Sequence, residues 1–177
     1  MRRVLAIAEA SFGSDHPNVA SFLNNLSQLL QDTKRLTEAE PLIRRALAIA
    51  EASFGPNHPN VASFLNNLSQ LFQATNRLTE AESLLRRALI IDEASFGPDH
   101  PNIARDLNNL ATLLQDTNRL TEAELLMRRA LAIFIASLGT EHPNTCIVKN
   151  NYAALLTKLG KTENEITVQL SNLTGQQ

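Results

Sequence analysis

The tripeptide His-Pro-Asn recurs at His16, His58, His100 and His142, each 42 residues after the last. A period of this length means stacked supersecondary units, and it fixes the architecture before any single residue is weighed. Residues 16–57 and 58–99 differ at eight positions, and 58–99 and 100–141 at fifteen. Residues 1–13 match 43–55 at eleven of thirteen positions, so the sequence opens inside the second half of a unit. The organisation read from this is one array: 1–13 as the second helix of a truncated repeat, 16–57, 58–99 and 100–141 as repeats one to three, and 142–177 as a degenerate last repeat and cap.

Each unit spells two helices. Pro17 stands at a first helical position, where its missing N–H is no loss. Val19, Phe22, Leu23, Leu26, Leu29 and Leu30 then fall on one arc at helical spacing, opposite Ser21, Asn24, Asn25, Gln28 and Gln31. After the turn Thr33-Lys34-Arg35, Thr37 and Glu40 have the spacing of a capping box. The same spacing recurs at Thr79/Glu82, Thr121/Glu124 and Thr162/Glu165. The second helix should bury Ala39, Leu42, Ile43, Ala46, Leu47 and Ala50 and stop at Gly55, a residue suited to a left-handed helix terminus. Seven helices are expected after the N-terminal half-repeat, the last of them a cap.

These residues resemble the tetratricopeptide repeat, in the 42-residue form of kinesin light chains. The small and apolar positions of that family fall on Leu23, Leu26, Ser27, Leu30, Ala39, Ile43 and Ala46 and recur in the next two units. Leu-Asn-Asn-Leu and Phe-Gly-Pro-Asn/Asp-His-Pro carry the likeness to the light-chain subtype. The usual large aromatics are mostly Leu, with Phe72 the exception. The resemblance implies an all-α, right-handed superhelical solenoid of antiparallel helix pairs whose first helices line a concave face.

That face would carry a ladder of amides: Asn24, Asn25, Gln28, Asn66, Asn67, Gln70, Asn108, Asn109 and Asn150, with Arg105 its main charge. Amides donate and accept, so they can pair with the backbone of an extended peptide. Solvation of an exposed face, or bonding between neighbouring repeats, is the alternative use. The functional expectation is a non-catalytic scaffold for a protein or peptide. A structural spacer or oligomerisation segment of a larger protein is the alternative.

Other chemistries are disfavoured. Sixteen Lys and Arg face eighteen Asp and Glu, without the basic excess of a nucleic-acid binder. The arginine pairs Arg44/Arg45, Arg86/Arg87 and Arg128/Arg129 follow Glu40, Glu82 and Glu124 by four residues, which reads as a charge-balanced helix face. One histidine per repeat cannot converge on a metal, because packed helices lie ~8–10 Å apart; each reads as a loop-packing or helix-entry histidine. The single Cys146 excludes a disulfide framework. No nucleophile, phosphate loop or carboxylate pair stands out, so neither enzyme activity nor a cofactor is expected. No apolar run approaches the ~20 residues that span a bilayer. The apolar start recurs internally as an amphipathic helix, which argues against a signal peptide. The expected location is cytoplasmic.

One patch breaks the pattern. Phe134 and Ile135 replace Ala50/Glu51 and Asp92/Glu93, and two large apolar residues there need cover. Either the last helix supplies it, through Ile166, Val168, Leu170 or Leu173, or another chain does. In the second case Leu5, Ile7 and Phe12 of the half-repeat are candidate partners in self-association.

Overall fold

Proline opens a helix at 17, 59, 101 and 143, and each time the histidine before it is the N-cap. The Nδ1 of His16, His58, His100 and His142 accepts the backbone N–H two residues on, at 3.1–3.2 Å. Three of these rings also stack on the phenylalanine that ends the preceding helix: Phe12 on His16, Phe54 on His58 and Phe96 on His100. The histidines are therefore spent on ending one helix and starting the next.

The computed structural model describes residues 2–175. Among them the order is α1 (Arg2–Phe12), α2 (Pro17–Asp32), α3 (Leu36–Phe54), α4 (Pro59–Ala74), α5 (Leu78–Phe96), α6 (Pro101–Asp116), α7 (Leu120–Leu138), α8 (Pro143–Lys158) and α9 (Glu163–Thr174), with no strand. Eight helices follow the half-repeat rather than seven, because the degenerate last unit also supplies two. The fold is all-α. The chain divides into two compact units, residues 1–91 and 92–177, and the division falls within the sequence of α5.

The turn inside each repeat is tight. Lys34, Asn76 and Asn118 take positive φ near 60°, and the next backbone N–H reaches back five residues, as from Arg35 to the Leu30 carbonyl at 2.7 Å. This turn starts the helix two residues earlier than a threonine cap requires and overturns three of the four expected capping boxes. Arg35 is the N-cap of α3 and Arg119 that of α7, neither with a side-chain cap. Thr37 thus lies inside the first turn of α3. The guanidinium of Arg35 instead grips Glu38 through two bonds of 2.7 Å. Only in the last repeat, where the connection 159–162 is a residue longer than 33–35 and passes through Gly160, does a threonine fall on the cap. There Thr162 and Glu165 form the reciprocal box.

The first unit packs α2 against α3 and α4 against α3 around Leu23, Ile43, Leu65, Leu68, Leu71 and Leu85, all essentially closed to water. In the second unit, α6, α7 and α8 close over Leu107, Leu110, Leu114, Leu131 and Tyr152. Alanine and serine allow the close approach: Ala39, Ala46, Ala123 and Ala130 are fully buried, and the buried Ser27 hydroxyl donates to the Ala39 carbonyl at 3.1 Å. Leu42 and Leu47 are half-buried, and Ile49 is buried in their stead. Phe22 and Leu29, expected inside, are exposed. The cap α9 contains no buried residue.

Seams between repeats carry a periodic ion pair. Arg45 meets Glu9 at 2.6 Å, Arg87 meets Glu51 at 2.7 Å, and Arg129 meets Glu93 at 2.8 Å. Each arginine also donates to a loop carbonyl, of Ser14, Pro56 and Pro98 respectively. The first arginine of a pair turns back along the surface of its own helix, Arg44 to Glu40 and Arg86 to Glu82. In the third unit Glu124 instead accepts the hydroxyl of the buried Tyr152 at 3.1 Å. Burial and that carboxylate push the Tyr152 phenol up to about 12.

Candidate functional site

In each unit the first helices carry a row of amides, and those amides are divided between two tasks. Asn67 donates to the Oδ1 of Asn24 at 2.7 Å, and Asn151 donates to Asn108 at 3.1 Å. The second asparagine of one repeat thus binds the first asparagine of the repeat before it. Asn66 is buried, 5% exposed, and its amide donates to the Ala62 carbonyl. Asn25, Gln70 and Asn150 are exposed; Gln28 and Asn109 are half-buried. The structure brings Asn24 together with Asn67 and Asn108 with Asn151, and it withdraws Asn66 from the face altogether.

Each unit has a recess between its two first helices. The first, about 300 Å³, lies between α2 and α4 and includes Ser21, Phe54, Asn60, Ser63 and Phe64. The second, about 270 Å³, lies between α6 and α8 and includes Asn102, Arg105, Asn108, Phe134, Asn144 and Ile147. The two are built at the same repeat positions from different side chains. Ser21 corresponds to Arg105, and Ser63 to Ile147, which is 55% exposed. The second recess therefore joins an apolar wall to three amides and a guanidinium, which can hold an apolar side chain and hydrogen-bond the backbone beside it.

Phe134 is buried in the floor of this recess, 4% exposed. Its neighbours across the recess are Val148 and Ile147 of α8, and Thr145 donates to its carbonyl at 3.5 Å. On the recess side the cover comes from α8; α9 also meets α7, with Ile166, Leu170 and Leu173 half-buried and Val168 53% exposed. Ile135 is half-buried. It stands where Glu51 and Glu93 reach forward 36 residues to an arginine, and the residue 36 beyond it is Ser171. Of the half-repeat residues, Leu5 is half-buried, Ile7 is 58% exposed and Phe12 is 50% exposed. Phe12 is no anomaly, since Phe54 and Phe96 show similar exposure and the same stacking on histidine.

A carboxylate pair that sequence reading did not find lies against Arg105. Asp92 and Asp106 are closed to solvent, at 1% and 0% exposure. Arg105 donates to Asp92 at 3.5 Å and to Asp106 at 3.3 Å. One guanidinium cannot balance two buried anions. Burial first, then the charge of Asp106, push the Asp92 carboxyl up to about 7 against the pull of Arg105, and a hydrogen bond to Asp106 adds to the rise. That bond requires Asp92 to hold a proton and donate it. The signal was present in the repeats: Asp92 replaces Ala50, and Asp106 replaces Phe22 and Phe64. Acid at an apolar position in each of two successive repeats is an exchange that a single side-by-side reading of the units exposes.

Among the described residues no three His, Cys, Asp or Glu side chains form a group that could hold a metal. No helix among them is long and apolar enough to cross a membrane. The half-buried Cys146 directs its thiol to the Thr140 carbonyl at 3.7 Å.

A family model of the tetratricopeptide repeat matches residues 19–93 and again 65–136. No curated protein matches the chain. Among solved structures, nearly identical TPR-like repeats assigned to a kinesin light chain of Podosopora anserina superpose with a TM-score of 0.76 at 24% identity, covering 98% of this chain and 82% of that one. A substituted form of the same repeats gives 0.78 at 22% identity, covering 99% and 82%. BtubC (BKLC) from P. vanneervenii gives 0.77 at 22% identity, covering 89% of this chain and 63% of that one.

Proposed function

Because the chain belongs to the tetratricopeptide repeat family, whose repeats generally serve protein interaction, we propose that it is a non-catalytic scaffold that binds an extended peptide along its first helices. The observation that carries this reading is the recess between α6 and α8. It departs from its counterpart at two positions that change its chemistry, Arg105 in place of Ser21 and Ile147 in place of Ser63. Its apolar wall suits one hydrophobic peptide side chain. Asn102 and Asn144 suit the adjoining peptide backbone. With mostly uncharged contacts, binding should depend only weakly on salt, since screening acts on charges. A cytoplasmic location fits the lone Cys146, which has no second thiol for a disulfide.

The test is selection from a display library of extended peptides, followed by calorimetry. Selected peptides should bind the intact chain saturably and lose at least tenfold affinity with Ile147→Glu or Asn144→Ala, at an unchanged melting temperature. Failure to select any saturable binder, or binders indifferent to both substitutions, defeats the reading. The spacer alternative is favoured by one observation: the amide bonds Asn67–Asn24 and Asn151–Asn108 spend part of the ladder on joining repeats.

A further inference from the structure

Four seams between successive repeats offer the same three places for comparison. They hold Ala8, Ser21 and Phe22 in the first seam and Ala50, Ser63 and Phe64 in the second. The third holds Asp92, Arg105 and Asp106, and the fourth returns to apolar side chains, Phe134, Ile147 and Val148. The two acids and their cation therefore occur as a set, at one seam. Both aspartates are closed to water, whereas the Arg105 side chain is 44% exposed and lines the recess between α6 and α8. Arg105 stands 3.3–3.5 Å from its aspartates, where the other seam arginines stand 2.6–2.8 Å from their glutamates. Only this loosely held guanidinium separates the acids from the recess. From α8 the lining residues are Asn144, Ile147 and Val148, all uncharged. On α5 the neighbouring Glu93 is taken by Arg129 of α7, and His100 at the head of α6 stacks on Phe96. The charges that act on the Asp92 carboxyl are those of Asp106 and Arg105.

We propose that Asp92 sets which charge the recess accepts: an acidic group beside the bound apolar side chain is tolerated while Asp92 holds a proton and disfavoured once that proton is lost. This rests on the recess being a ligand site and adds the selectivity and the regulation of that site. With the proton in place, the charges of Arg105 and Asp106 cancel. Without it, two carboxylates outweigh one guanidinium, whose own charge does not change. The wall behind the recess is then net negative, which repels an anion and leaves an uncharged ligand unaffected. Linkage makes the effect reciprocal: an anion in the recess strengthens the hold of Asp92 on its proton, so the anion binds with proton uptake. Asp92 titrates at about 7, so acidic ligands bind more tightly below that pH and more weakly above it.

The probes are N-acetyl-leucine and its uncharged twin N-acetyl-leucinamide, titrated onto the full chain at pH 6 and pH 8 and followed by the amide NMR shifts of Asn144 and Ile147. The acid should bind about threefold or more tightly at pH 6 than at pH 8, and the amide equally at both. Asp92→Asn never ionises, so in that variant the acid should bind at pH 8 as it does at pH 6; a thermal melt checks that the variant is folded. Equal affinity of the acid at both pH values, with the amide saturating, overturns the proposal and leaves the recess standing as a ligand site. A pH dependence that survives Asp92→Asn also overturns it, because His100 or His142 then carries the effect. Saturation by neither probe overturns it together with the recess as a pocket for an apolar side chain.

Discussion

Replacing Asp92 by Asn should stabilise this protein at neutral pH, and the gain should vanish in acid. Asp92 is 1% exposed and its carboxyl titrates at about 7 in the folded chain, against 3.8 ordinarily. Between those values the folded chain holds a proton that the unfolded chain has released, so stability falls as pH rises. The slope is about 1.4 kcal/mol per pH unit, and it flattens above about 7. Full ionisation therefore costs about 4 kcal/mol relative to strong acid. Asn has the shape of the protonated acid and can donate to Asp106 as that acid does, but it never ionises. Urea unfolding of wild type and Asp92→Asn, followed by circular dichroism from pH 4.5 to 8.5, reads the difference directly. Carboxylates elsewhere, such as Glu40 and Glu80, are held below the usual range by Arg77 and tilt both proteins alike. The stability difference should widen by about 3 kcal/mol between pH 5 and pH 8. A difference that stays constant with pH, or an Asn variant less stable than wild type at pH 8, refutes the shared-proton account.

His58→Ala removes both the Nδ1 acceptor for the Asn60 N–H and the ring stacked on Phe54; loss of the cap alone should lower stability by about 1 kcal/mol, measured by urea unfolding. Phe134→Ala leaves a void beneath the second recess and should cost about 3 kcal/mol or more, read in the same assay, with sedimentation still showing the wild-type mass.

Much of this architecture could be read from spacing alone, because the determinants are local. Proline at a helix start and glycine after a helix end act within one turn, and the 42-residue period multiplies each signal. The capping boxes escaped because Thr-x-x-Glu describes a spacing, whereas a cap depends on where the preceding turn delivers the chain. The positive φ of Lys34 delivers Arg35, not Thr37, to the helix start. Phe22 and Leu29 escaped for a different reason. Their pattern is that of buried residues, and only the presence of a neighbouring helix decides whether they are buried. The amide ladder was visible as a row, but the pairing of Asn67 with Asn24 needs the offset between adjacent helices. Asp92 and Asp106 meet across two helices, so neither one's own surroundings in the sequence announce the other. Their shared departure from the repeat did mark them.

The glutamate–arginine pairs at the seams have a consequence for how such an array can lengthen. Glu51 belongs to one 42-residue block and its partner Arg87 to the next, and the same offset joins Glu9 to Arg45 and Glu93 to Arg129. Any window of 42 residues copied from this region carries one donor and one acceptor, as a hook-and-eye tape does wherever it is cut. A block inserted by duplication thus finds its bonding partners on both sides without compensating mutations. Ile135 and Ser171 break that rule. A copy that includes them carries a seam with different fastenings, and its place in the order of blocks is no longer interchangeable.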